Sequence, residues 1–186
     1  MRSRDEEITA WALAAGRGDR RALESFIRAT QRDVWQFTAH LASADLADDL
    51  TQETYLRALP SLPRFAARAT ARTWLLSIAR RVVVDSVRTA MARPRRSAAE
   101  DWVAAAEQHQ ARDHASGFTD VVELGVLLDG LTEERREALV LTQVLGFSYA
   151  EAAEVCGCPI GTVRSRVARA RDDLLRSDEA RTTGAG

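Results

Sequence analysis

The sequence predicts an all-α protein built as two small helical domains joined by a flexible linker, and three observations carry that expectation. Apolar residues recur at spacings of three and four rather than two, and even the β-branched run Val82 to Val84 falls inside a helical pattern. Between two such patterned halves the periodicity fades over residues 91–117, where the composition turns to Ala, Arg, Ser and His with Pro94 inside. At 186 residues and 46% hydrophobic content the chain can make one soluble domain or two small ones, and the fade favours two.

In the first domain, residues 1–90, a first helix spans roughly 6–15 and stops at Gly16 and Gly18. A second begins near Asp19 and carries Leu23, Phe26, Ile27, Val34 and Phe37 on one face. A third runs over about 44–58 with Leu46, Leu50, Tyr55 and Leu59 inward, and Pro60 and Pro63 end it. A fourth covers about 70–89, with Trp74, Leu75, Ile78, Val82 and Val83 as its buried stripe. Beyond the linker, which has room for short helical pieces around Trp102, residues 118–177 predict a smaller domain. Its helices fall near 119–129, 132–145, 149–156 and 160–176, followed by a polar, disordered tail over 178–186.

No run of about eighteen apolar residues occurs, and the start MRSRDEEITA lacks the apolar core of a signal peptide, which predicts a cytoplasmic protein. The two cysteines, Cys156 and Cys158, stand one residue apart, a poor spacing for a disulfide and too few ligands for structural zinc. They read as small buried packing residues in a reducing compartment, and no metal or cofactor is expected.

The net charge of -1 conceals a sorting of charge along the chain. From 64 to 96 there are nine arginines against the single acid Asp85, and from 160 to 171 four arginines against none. Residues 118–140 instead hold six acids against two arginines. Two basic surfaces on an otherwise acidic chain predict a polyanion gripped at two places.

The strongest local pattern is SYAEAAEVCGCPIGTVRSRVARARDDLL, residues 148–175, which reads as a helix-turn-helix. Ser148 caps its first helix and Glu151 completes a capping box, while Ala152, Ala153 and Val155 supply small packing groups. Gly157 permits the turn, and Pro159 stands where a missing amide donor costs nothing. In the second helix Val163, Val167, Ala170 and Leu174 share one face; Arg164, Ser165, Ala168 and Arg169 share another, free to enter a major groove. The plainer reading is a solvated arginine-rich helix in an ordinary bundle. Arginines on such a helix usually alternate with acids three or four residues away, and none stands between 160 and 171.

These residues resemble a known family. CPIGTVRSRVARAR, preceded by LTEERREALVLTQVLGFSYAEAAEV, is similar to region 4 of the extracytoplasmic-function class of sigma-70 family factors. DDLTQETYLRAL resembles that family's core-polymerase-binding segment, and RTWLLSIARRVVVDSVR its minus-ten recognition helix. Both halves occur in the family's order across nearly the whole chain, and the resemblance is greatest to the actinobacterial sigma-factor-C type. It implies a region 2 helical bundle, a region 4 helix-turn-helix domain, and a non-enzymatic factor that binds core RNA polymerase and directs promoter-specific initiation. The implied partners are the beta and beta-prime subunits of core polymerase, double- and single-stranded promoter DNA, and an anti-sigma factor, with no membrane.

Carried over residue by residue, the resemblance assigns core binding to Asp48, Asp49, Leu50, Gln52, Glu53 and Leu56, a set that by itself reads as a solvated acidic face. The fourth helix and the loop before it would melt and read the minus-ten element, since capturing an unstacked base needs a loop pocket beside basic side chains. Residues 64–72 would form that pocket around Arg64, with Phe65 and Trp74 as aromatics, although the apolar spacing of Trp74 suits a core position better. Arg72, Arg80, Arg81, Asp85 and Arg88 recur on what reads as the exposed side; Arg80, Arg81 and Arg88 would hold DNA and Asp85 orient an arginine. The family usually has asparagine where this chain has Arg81. In the second domain Arg164, Ser165 and Arg169 would meet minus-thirty-five base edges, while Thr162, Arg166 and Arg171 would touch phosphates.

Two other readings stand beside this one. A stand-alone dimeric regulator would use the same recognition helix without polymerase, and the acidic 48–56 segment argues against it. A nuclease or other hydrolase using the clustered carboxylates would need a metal or nucleophile motif that the sequence lacks. Two domains on a flexible linker also suggest that the free protein folds its DNA faces against each other and opens only on polymerase.

Overall fold

The computed structural model describes residues 3–91, 125 and 127–183, and the side chains of 3–89, 125 and 127–177. Helix α1 (Arg4–Gly16) starts two residues before its expected position because Ser3 closes a capping box with Glu6. Its C-terminus ends at Gly16, where an added Cβ would meet the Leu62 carbonyl oxygen at 2.6 Å; only glycine lets α1 lie this close to the turn after α3. Asp19 then caps α2 (Arg20–Leu41) by accepting hydrogen bonds from the amides of Arg21 and Ala22. Helix α3 (Ala44–Ala58) stops as expected before Pro60, and both prolines lie in a 3-10 turn (Leu59–Arg64) that the sequence pattern did not foresee. Helix α4 (Ala71–Met91) begins with the Thr70 hydroxyl accepting from the Thr73 amide at 3.2 Å.

The second half differs most from expectation in its middle. In place of one α-helix over 132–145, α5 (Glu133–Leu139) passes into a π-helical turn (Val140–Val144). The Thr142 hydroxyl donates to the Ala138 carbonyl at 2.8 Å, and Gly146, with φ of 72°, takes the chain out of the widened turn. Helix α6 (Tyr149–Cys156) carries the expected Ser148–Glu151 capping box and ends at Gly157, whose φ of 64° is left-handed. Helix α7 (Ile160–Thr183) continues past Ser177, so residues 178–183 are helical and not the disordered tail expected of them. Of the linker expected at 91–117, Met91 instead ends α4, and the remainder, together with most of the helix expected at 119–129, lies outside the described residues.

Among the described residues there are seven α-helices and no strand. None of these helices is long and apolar enough to cross a membrane. Ile8, Phe26, Phe37, Leu75 and Leu76 from the first half and Leu128, Leu141, Val155 and Val163 from the second belong to one continuous buried cluster. Helix α4 packs against α6, and α2 against α5 and the π turn, so the two halves share an interior. One expected core residue is misplaced: Leu46 is 41% exposed on α3, because Ala44 and Ala47 take the inward positions against Ala39 and Trp35.

Candidate nucleic-acid and partner interfaces

Helix α3 presents a largely acidic face. Asp49, Gln52 and Leu56 are exposed and Asp48 and Glu53 half-buried, so Leu56, 68% exposed, adds one apolar group to the polar face. Leu50 does not join them. It is buried against Val82 and Val83 of α4, so its contribution to this face is to hold α3 on α4. The Trp35 indole N–H donates to Asp48 Oδ1 at 3.0 Å, a cross-helix bond from α2 that residue spacing does not predict.

The loop between the 3-10 turn and α4 exposes Arg64 and Arg68. Ala67 within it has φ of 50°, a left-handed conformation that costs a residue with a Cβ about 1–2 kcal/mol. Phe65 and Trp74 pack with ring centroids 4.9 Å apart and interplanar angle 38°, both half-buried, so Trp74 serves the core edge and the loop at once. Across a cleft from this loop stand Glu151 and Glu154 of α6. Carboxylates thus flank the basic loop from the other half of the molecule.

Helix α4 splits its charged residues between two environments. Arg81, Asp85 and Arg88 are exposed, as their spacing suggested. Arg72, expected on the same exposed side, is buried: its Nε donates to Asp33 at 2.8 Å, Nη1 to Asp5 at 3.0 Å and Nη2 to the Leu145 carbonyl at 3.0 Å. Its guanidinium also lies 4.4 Å from the centre of the Phe147 ring. Arg72 therefore has no free donor face toward solvent; it ties α1 and α2 to the chain leaving the π turn. Arg80 is half-buried, and its Nε donates to Glu137 of α5 at 2.5 Å. Burial opposes the charge of Arg80, and the Glu137 carboxylate outweighs it, leaving the pKa raised. These partners come from the other half of the chain, and sequence spacing could not reveal them.

Asp85 does engage an arginine, though not one on its own helix. Arg57 of α3 donates through Nη1 to Asp85 at 2.8 Å and through Nε to Glu53 at 2.7 Å. The hydrogen bonds from Asp85 and then Glu53 push the Arg57 pKa further up. The Glu53–Arg57 spacing of four is legible in the sequence, whereas the Asp85 arm depends on α3 packing on α4.

In α7, Val163, Val167 and Ala170 are buried while Arg164, Ser165, Ala168 and Arg169 are exposed, the division that the periodicity predicted. Arg164 stands 6.0 Å from the centre of the Tyr149 ring. Thr162 and Arg166 are half-buried, with Arg166 Nη1 3.7 Å from Cys158 Sγ, and Arg171 donates to the Gln143 side chain at 2.7 Å. Cys156 is buried, which pushes its thiol pKa well up and leaves it a neutral packing group; Cys158 is half-buried. His40 of α2 is also buried, and burial followed by the nearby charge of Arg136 lowers its pKa to about 4.

Comparison with known proteins agrees with this geometry. Residues 26–93 match sigma-70 region 2 and residues 122–174 match sigma-70 region 4. The chain is 56% identical over 179 residues to the ECF RNA polymerase sigma factor SigC of Mycobacterium tuberculosis, covering 95% of this chain and 94% of the relative. It is 38% identical over 133 residues to the ECF sigma factor EcfG of Rhodopseudomonas palustris, covering 71% of each. Among solved structures, CnrH in complex with the cytosolic domain of CnrY shares the fold at a TM-score of 0.72 and 23% identity, over 94% of this chain and 98% of that one. The sigma factor RpoE of Bartonella quintana, bound to the anti-sigma factor NepR, matches at a TM-score of 0.64 and 26% identity, over 83% and 94%. The chain belongs to the extracytoplasmic-function class of the sigma-70 family of RNA polymerase sigma factors.

Proposed function

We propose that this alternative sigma factor works through three surfaces: α3 for core polymerase, the 64–70 loop with α4 for the minus-ten element, and α7 for the minus-thirty-five element. The observation that carries the reading is the unopposed arginine face of α7, where Arg164, Ser165 and Arg169 stand exposed beside a packed apolar face. On α3, Asp48, Asp49, Gln52, Glu53 and Leu56 offer carboxylates and an uncovered apolar group to a basic, partly apolar partner. Residues 1–90 and 118–177 act as the two functional units, and the factor contributes binding and no catalysis of its own. Action in the cytoplasm follows from a polymerase partner. The complex of RpoE with the anti-sigma factor NepR among its structural neighbours supports an anti-sigma factor as a further partner.

The contacts between the two halves support a closed free state. Arg72 and Arg80, two of the arginines assigned to minus-ten DNA, are occupied by Leu145, Phe147 and Glu137 from the region 4 half. Single-stranded DNA would therefore meet a partly covered surface until the halves separate. Arg164 and Arg169 remain exposed in the same arrangement.

Run-off transcription tests the assignment, using purified core polymerase with and without the protein on promoter fragments from a GC-rich bacterium. New discrete transcripts that disappear with Asp49→Ala or Arg169→Ala are expected. Arg169→Ala should cost about 1–3 kcal/mol and relax sequence preference, whereas Arg166→Ala should weaken all sequences alike. Absence of core binding, together with tight sequence-specific binding by the protein alone, would replace this reading with the stand-alone regulator.

A further inference from the structure

Arg57 lies on α3 but is not among the residues assigned to either surface, yet its one guanidinium hydrogen-bonds to an assigned residue of each. Nε holds Glu53 on the polymerase-facing side of α3 and Nη1 holds Asp85 on the DNA-facing side of α4. All three side chains are accessible, at 43%, 42% and 55% for Arg57, Glu53 and Asp85, so a partner can reach them without unfolding anything. Asp85 is four residues from Arg81 and three from Arg88, which places its carboxylate on the face those exposed arginines present. An unscreened carboxylate there would repel phosphates; the Arg57 ion pair cancels it.

From this arrangement we infer that Arg57 is a positioning residue that couples polymerase binding to minus-ten recognition, by sharing its charge between Glu53 and Asp85. A cationic group of polymerase arriving at Glu53 competes with Arg57 for that carboxylate. Arg57 is then left to Asp85 alone, and the α4 face becomes more favourable to DNA as the holoenzyme assembles. The inference rests on the reading of α3 and α4 as the polymerase and minus-ten surfaces.

The test measures two affinities for each variant: full-length protein for purified core polymerase, and assembled holoenzyme for a fork-junction DNA carrying a single-stranded minus-ten segment. Arg57→Ala is expected to leave core binding equal or tighter, because Glu53 is released, and to weaken fork-junction binding about two- to fivefold, the range of an exposed charge pair. Asp85→Asn added to Arg57→Ala should restore most of the lost DNA affinity, which a purely structural role for Arg57 would not allow. Unchanged DNA binding, a parallel fall in both affinities, or failure of Asp85→Asn to rescue would each overturn the coupling. Asp49→Ala and Arg81→Ala serve as references. If they leave core and DNA binding intact, the surface assignment itself fails; if they weaken binding while Arg57→Ala is inert, only the coupling fails.

Discussion

At the scale of single residues, the charged side chains along α4 meet different surroundings, some facing solvent and some held by carboxylates of other helices. Arg81, Asp85 and Arg88 are exposed as their spacing implied, while Arg72, in the first turn of the same helix, is consumed by Asp5, Asp33 and Leu145. Helical periodicity assigns a face and cannot tell whether another element covers it. Ala67 illustrates the same limit, since nothing in its type announces a φ of 50°. Ala67→Gly relieves that strain and is expected to raise stability by about 1 kcal/mol in denaturant unfolding. The more mobile loop should weaken fork-junction DNA binding in the same variant.

At the scale of elements, caps and punctuation were the most legible signals. The Ser148–Glu151 capping box, the Gly157 turn and the Val163–Val167–Ala170 stripe are local consequences of local sequence, and each occurs where expected. The Ser3 box and the π turn at Val140–Val144 were not foreseen. A widened turn depends on where the following segment must pack, and no spacing rule encodes it. Gly16 shows tertiary demand on one element. Gly16→Ala would drive a Cβ into the Leu62 backbone, and a loss of about 1–3 kcal/mol is expected on thermal or denaturant unfolding. Ala substitution at exposed Gly130, where a Cβ meets nothing within 4 Å, should lack that steric penalty.

At the scale of the whole molecule, the buried Glu137 carboxylate and the Arg80 guanidinium join the halves. Glu137→Gln removes the ionic part of that contact, and because Arg80 is a third exposed the expected loss is modest, about 1–2 kcal/mol of interdomain stability. Free Glu137→Gln protein should then show a larger radius of gyration in small-angle scattering and tighter fork-junction DNA binding than the parent. His40 supplies a pH test of the same packing. Its folded pKa of about 4 lies below the ordinary value of 6.5, so the unfolded chain binds the proton more readily. The stability this residue provides is complete above pH 6.5 and falls as the pH drops toward 4. By pH 5 the loss is about 2 kcal/mol, visible as a lowered Tm that His40→Gln should render less pH-dependent.

The sequence by itself determined the helical class, the two-part organisation, the helix-turn-helix and the family, because periodicity, caps and charge sorting are properties of neighbouring residues. It also placed the exposed arginine face of α7, where one side of a helix packs and the other does not. Only the tertiary structure decided that Arg72 and Arg80 are engaged by the other half, that Leu50 is core and Leu46 is not, and that Arg57 spans Glu53 and Asp85. Each of those facts joins residues 28 to 73 positions apart or trades one inward side chain for another. Such contacts arise from packing between helices, and a linear pattern holds no record of which helix will lie against which.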